Sequence, residues 1–173
     1  GPGSAPTPAL PGGARLPPPR VVRARPLPER VTICAVGARD GLQYASAIVP
    51  LAAKVEFMTR LIAAGLPIVE ATSFVHPKWI PQLADAAELV AQLPLDWPSP
   101  LPVLGPNGRG LDRALDAGCT HIGIFGSATE TFAQKNLNST LDDQFAMFEP
   151  VVARALDAGL DVLVIQGTVG SGE

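Results

Sequence analysis

Cysteine, aromatic side chains and charge are all scarce in this chain of 173 residues. Two cysteines, Cys34 and Cys119, are too few for a disulfide framework and lack metal-ligand spacing, so a reducing cytoplasm is the expected compartment. Charged residues make up 17% and leave a formal charge of only −3, which argues against a nucleic-acid partner. No apolar run approaches the ~20 residues a membrane-spanning helix needs, and no signal-peptide core opens the chain. A membrane partner is therefore not expected. What the chain does have is a hydrophobic share of 47%, enough for one domain with a real core.

Charge and proline are unevenly spread. Residues 1–30 hold Arg15, Arg20, Arg23, Arg25 and Arg30 against Glu29 alone, and nine of the nineteen prolines. Proline removes backbone donors and pushes its predecessor out of the helical region, so this leader is expected to be extended or disordered. Gly1 to Ser4 reads as the remnant of a cleaved expression tag. The folded domain is expected over residues 31–173.

From Val31 onward the pattern alternates. Val31 to Val36 is a short β-branched run ended by Gly37, read as a buried strand. Residues 51–64 follow with Leu51, Val55, Met58, Leu61 and Ile62 at helical spacing. Further strands are read at 67–72, 101–104, 121–125 and 162–165, and further helices at 81–93, 108–117 and 141–158. The last helix carries Phe145, Phe148, Val152 and Leu156 on its expected core face. Three helices end in Ala-Gly: Ala64-Gly65, Ala117-Gly118 and Ala158-Gly159. Repeated strand–helix units of this length mean a parallel α/β architecture, either a closed (β/α)8 barrel or an open doubly wound sheet, with strands buried on both faces.

Polar residues cluster after the strand ends, where both folds bind ligands. Arg39-Asp40 sits between Gly37 and Gly41 directly after the first strand. A carboxylate there suits a hard divalent ion, and a guanidinium suits a carbonyl or enolate oxygen. Glu70 interrupts an apolar strand, and a buried carboxylate needs a partner such as Arg39 or a metal-bound water. The loop from Ser73 to Gln82 brings a hydroxyl, His76, Lys78 and Trp79 together, as a site lining does. The stretch from Ser127 to Asn138 is also polar, and Lys135 suits an anionic ligand. His121, Cys34 and Cys119 read as structural core residues.

Read together, these segments resemble 3-hydroxy-3-methylglutaryl-CoA lyase, within the metal-dependent barrels whose first strand ends in Arg-Asp-Gly. The resemblance runs from about residue 31 to 160. It rests on Arg39 to Gln43, on Glu70 to Gln82, on Pro106-Asn107 and on the stretch from Phe125 to Asn138. It implies a TIM (β/α)8 barrel, of which this chain holds about the first five strands, binding Mg²⁺ or Mn²⁺ and an acyl-CoA substrate. The implied reaction is cleavage of 3-hydroxy-3-methylglutaryl-CoA to acetyl-CoA and acetoacetate, as in leucine breakdown. By the same resemblance Asp40 is a metal ligand and Arg39 stabilises the thioester enolate. Gln43 and Glu70 order the site, Ser73 contacts substrate, and Asn107, Lys135 and Asn138 lie near the acyl-CoA.

The family's other metal ligands, a His-x-His pair and an Asn, belong to later strands, and Ala35 stands where an acidic residue is usual. The chain alone is therefore expected to be inactive, either an amino-terminal fragment or a natural truncation. Its unpaired edges should make it self-associate into a homo-oligomer. Two other readings stay open: an acyl-CoA-condensing synthase or aldolase of the same superfamily, and a non-catalytic half-barrel assembly module.

Overall fold

The structure, a computed structural model, describes residues 28–94, 97, 99–127, 129–130, 133–134 and 139–167. The body described below begins at Thr32. The leader assigned to residues 1–30 falls almost wholly outside the described residues.

The alternation read from the sequence is present, and every strand pair is parallel. Strands β1 (Cys34–Ala35) and β2 (Ile68–Val69) pair with each other, and β3 (Thr72–Ser73), β4 (Val103–Leu104), β5 (His121–Ser127) and β6 (Asp161–Gly167) follow in that order. Helices α1 (Leu51–Ala63), α2 (Ala86–Gln92), α3 (Gly108–Asp116) and α4 (Leu141–Asp157) lie between them, and a short 3₁₀ turn at Pro81–Leu83 precedes α2. The segment expected as one strand at 67–72 is split into β2 and β3, with Glu70 and Ala71 between. Proline is the reason. Val69 N–H donates to Pro100 O and Ala71 N–H to Pro102 O, but neither proline can donate in return, so the ladder is half made. Glu70 N–H donates to Ala35 O at 2.9 Å on the other side, which keeps the segment extended.

The Ala-Gly endings behave as expected. Gly65, Gly118 and Gly159 all have φ near +78°, the left-handed turn that closes a helix and that a Cβ penalises. Helix α4 starts with a reciprocal capping box between Thr140 and Asp143. One core joins the inner faces of the helices to the sheet, with Met58, Val69, Leu89, Val103, Leu111 and Ile122 at its centre.

Two expectations about burial fail. The opening run is not buried throughout: Ile33 is 61% exposed, and only Cys34 and Ala35 enter the sheet as a short edge. The core face of α4 is also rotated. Gln144, Phe148, Val151 and Ala155 are buried, whereas Phe145 and Leu156 are 65% and 58% exposed. A glutamine takes an apolar slot because its amide completes a backbone: Ser127 N–H donates to Gln144 Oε1, and Gln144 Nε2 donates to Ser127 O, both at 2.8 Å. Two buried peptide groups at the end of β5 are satisfied in this way, which outweighs the polarity of the side chain.

Candidate active site

Chain direction at the end of β1 sets the site. The carbonyl of Val36 accepts the N–H groups of Arg39, Asp40 and Gly41 at 3.2, 2.7 and 3.3 Å. Three donors on one oxygen close Gly37–Gly41 into a wide π-type turn, a geometry found often at functional sites. The turn carries Arg39 and Asp40 to the carboxyl end of the parallel strands.

There the guanidinium is held by two carboxylates. Arg39 Nε donates to Glu70 Oε2 at 2.8 Å, and Arg39 Nη1 donates to Asp40 Oδ1 at 2.8 Å. The Glu70 side chain is wholly buried, that of Arg39 nearly so, and that of Asp40 is 45% exposed. Burial pushes the Glu70 carboxyl up from its ordinary value; the Arg39 charge and hydrogen bond pull it back, and Asp40 adds a smaller upward push. Glu70 Oε1 and Thr72 Oγ1 are both buried without a hydrogen-bond partner among the described residues. Gly123 faces Glu70: a Cβ there would lie 3.9 Å from Oε1 and 3.5 Å from Ile165 Cδ1, so the missing side chain keeps this part of the interior open.

Arg39, Asp40, Gln43 and Ser73 border one cavity of about 670 Å³, whose walls include Tyr44, Leu104, Phe125 and Ile165. That volume is in the range of a small-ligand pocket. Ser73 is buried, and its Oγ accepts from Val75 N–H at 3.2 Å. The partnered reading of Glu70 thus holds, and four expected site residues share a cavity with Glu70 behind them.

Asn107 is not among them. Its Oδ1 accepts from Gly110 N–H at 3.0 Å as the N-cap of α3, and the residue borders a second cavity of about 530 Å³ with His76, Trp79 and Arg109. A side chain committed to a helix start cannot also turn to the first cavity. His76 and Trp79, read as lining for the same site, go with Asn107 to the second cavity. Lys135 and Asn138 lie outside the described residues. His121 is structural, as expected: Nε2 lies 3.2 Å from Asp161 Oδ2 and Nδ1 2.8 Å from Thr120 Oγ1, at the start of β5. Cys119 is buried and its thiol is pushed up to about 11 by that burial. Cys34 is only half-buried, and its thiol is raised by burial and by the Glu70 charge. Neither is an activated nucleophile.

Two supports of the site escaped the sequence reading. Lys54 is buried; its Nζ donates to Gln82 O at 2.5 Å and to Asp85 Oδ1 at 2.6 Å, while Gln82 Nε2 donates to Ala45 O at 3.1 Å. This clamp ties the loop after Gln43 to α1 and to the turn before α2. Its signal was present, since Lys54, Met58 and Ile62 repeat every four residues on one face. Arg113 Nη1 donates to Phe74 O and Val75 O, and the guanidinium sits 5.3 Å over the Phe74 ring, pinning the chain that follows Ser73.

The donor set is short for a metal ion. Among the described residues no three of His, Cys, Asp and Glu converge on one point. Asp40 offers a single carboxylate, already bonded through Oδ1 to Arg39, whereas Mg²⁺ demands near-octahedral oxygen coordination. The described residues alone do not make a metal centre.

Residues 30–170 match the family model described as HMGL-like. The chain belongs to that family. It is 43% identical over 136 residues to the mitochondrial hydroxymethylglutaryl-CoA lyase of Rattus norvegicus, an alignment that takes in 79% of this chain and 42% of that protein. The chain therefore spans about two fifths of the length of such curated relatives. Among solved structures, the hydroxymethylglutaryl-CoA lyase of Pseudomonas aeruginosa superposes with a TM-score of 0.77 at 34% identity, covering 85% of this chain and 50% of that one. The HMG-CoA lyase of Acinetobacter baumannii, solved with coenzyme A and 3-methylmalate, gives 0.71 at 30% identity over 78% of this chain and 44% of that one. The choice left open by the alternation is thereby closed: this HMGL-like chain has the fold of the front part of a TIM (β/α)8 barrel.

Proposed function

We propose that the Arg39–Asp40–Glu70 cluster is the front half of the active centre of a carbon–carbon lyase that cleaves 3-hydroxy-3-methylglutaryl-CoA to acetyl-CoA and acetoacetate. The observation that carries this reading is a guanidinium fixed between two carboxylates at 2.8 Å on the rim of a cavity of about 670 Å³. Bond cleavage leaves an electron pair on the acetyl-CoA fragment, as an enolate whose charge rests on the thioester oxygen. Arg39 is already immobilised through Nε and Nη1, which leaves Nη2 for that oxygen, and a cation that need not reorganise is worth most in a site that excludes water. Glu70 holds Arg39 in place and Asp40 sets its second edge. Gln43 and Ser73 line the substrate space.

Asp40, with its second oxygen, is the residue of this chain that would ligate a divalent ion, Mg²⁺ or Mn²⁺. When bound, such an ion polarises the substrate oxygens. Its remaining ligands, and the base that takes the tertiary hydroxyl proton, are expected from outside the described residues. Two free cysteines suit a reducing compartment, and the reaction would serve leucine breakdown. The 173-residue chain alone is expected not to turn over. Ala35, which stands where the family usually has an acidic residue, favours, as the second reading, a binding or assembly module that keeps the family fold without its chemistry.

Calorimetric titration separates the two. The lyase reading expects 3-hydroxy-3-methylglutaryl-CoA to bind the chain, and Arg39→Gln to weaken binding by about tenfold or more, the worth of one charge-assisted hydrogen bond. No heat with that thioester or with acetyl-CoA sinks the lyase reading and leaves the module. Metal-dependent acetoacetate release by the chain alone would show that the expected inactivity is wrong.

A further inference from the structure

Lys54 is the largest fully buried side chain among the described residues. It stands on the face of α1 that carries Met58 and Ile62, and α1 packs against α2. A methionine would fill that slot without taking an ammonium out of water, and exchanging a buried ion pair for apolar side chains is often neutral or stabilising. Stability alone gives no reason for a lysine there; the geometry that its Nζ imposes does.

We propose that Lys54 and Gln82 are positioning residues for the substrate space: they fix the loop after Gln43, and through it Gln43 and Tyr44. The proposal rests on the lyase reading above and deepens it. The relay has three bonds. Asp85 Oδ1 takes the ammonium at 2.6 Å, which pairs the charge where the chain turns into α2. Gln82 O accepts from the same Nζ at 2.5 Å, which fixes that residue's backbone. The Gln82 side chain then reaches back across 37 residues, and its Nε2 donates to Ala45 O at 3.1 Å.

The loop depends on that last bond. Ala45 N–H closes a turn on Leu42 O at 3.1 Å, and α1 begins only at Leu51. Among the described residues, the Gln82 amide makes the one hydrogen bond that joins residues 44–49 to another element. Gln43 and Tyr44 border the cavity just before Ala45, and Ile80 borders it two residues before Gln82, so one clamp sets two parts of the wall. A wall fixed in advance spares the ligand the cost of ordering it.

Tyr44 is the only tyrosine of the chain, so 3-fluorotyrosine incorporation gives a single fluorine-19 signal from the loop itself. Gln82→Met removes the amide donor, and Lys54→Met removes the ammonium. Each should move the signal toward that of free fluorotyrosine. Each should also weaken binding of 3-hydroxy-3-methylglutaryl-CoA by about fivefold to tenfold, the worth of one hydrogen bond, and Gln82→Met should do so with little change in thermal midpoint. The double variant should bind no more weakly than Lys54→Met, because both substitutions act through the same bond.

A Gln82→Met chain with wild-type signal and affinity overturns the proposal. So do a loop released without loss of affinity and penalties that add in the double variant, since either makes the clamp a purely structural tie. Gln82 is only half-buried, so its variant carries the test even where Lys54→Met fails to fold. A wild-type chain that binds no thioester would sink the lyase reading, and the fluorine signal would then decide by itself whether the clamp holds the loop.

Discussion

Replacing Arg39 by Leu removes the one side-chain partner, among the described residues, of a carboxylate with no solvent exposure. Burial raises the Glu70 carboxyl from its ordinary value, and the Arg39 charge and hydrogen bond oppose that rise. Removing one member of a buried pair costs about 3 to 5 kcal/mol when the remaining charge cannot relax. Here Arg39 itself keeps some exposure and Glu70 can escape by taking up a proton, so about 2 to 3 kcal/mol at pH 8 is the better figure. The pH dependence identifies the cause. A carboxyl raised in the folded state binds more protons there than in the unfolded chain, whose carboxyl titrates near 4.5. Stability therefore falls as pH rises from the unfolded value through the folded one, and is flat above it. In Arg39→Leu the folded value is higher still, so the window widens and the variant should lose up to about 1.4 kcal/mol per pH unit across the added part. Urea unfolding of wild type, Arg39→Leu, Glu70→Gln and the double variant at pH 5 and pH 8 gives both the loss and the coupling. A penalty under about 0.5 kcal/mol, or one equal at the two pH values, would refute the reasoning, because then Glu70 is neither dry nor dependent on Arg39.

Three further outcomes follow from particular contacts. Gln144→Leu should cost about 2 to 4 kcal/mol in urea despite adding apolar surface, because it orphans the buried N–H and C=O of Ser127; a neutral variant would mean that water replaces the amide. Gly159→Ala should lower stability by about 1 to 2 kcal/mol, since φ is +78° there and nothing lies within 4 Å to be gained as contact. Lys54→Met should free the loop after Gln43, seen as faster amide exchange at residues 45–50 with little change in β5 and β6; uniform acceleration would make Lys54 a general stabiliser instead.

Much of this was legible in the residues. The alternation, the Ala-Gly stops and the Arg39–Glu70 partnership follow from periodicity, left-handed capping and the cost of a lone buried carboxylate. What failed were judgements that need a neighbour. Periodicity placed Phe145 and Leu156 inward on α4, but the slot belongs to Gln144 because of what β5 lacks at Ser127, which no local pattern encodes. The strand at 67–72 read as continuous, yet its ladder depends on Pro100 and Pro102, thirty residues on. Asn107 looked like a ligand residue by resemblance and serves as a helix cap by geometry. Glycine-flanked Arg39-Asp40 announced a turn, but the triple use of the Val36 carbonyl that aims it could not be read in advance.

The orientation of one side chain decides the rest. Nitrogen-15 spectra of the Arg39 guanidinium, recorded while 3-hydroxy-3-methylglutaryl-CoA is titrated in, report it directly. The Nε–H should already exchange slowly in the free chain because Glu70 holds it, and the Nη signals should shift and slow as the thioester binds. An Nε–H that exchanges as fast as a surface arginine's, or Nη signals that stay unmoved while the ligand demonstrably binds, would contradict it.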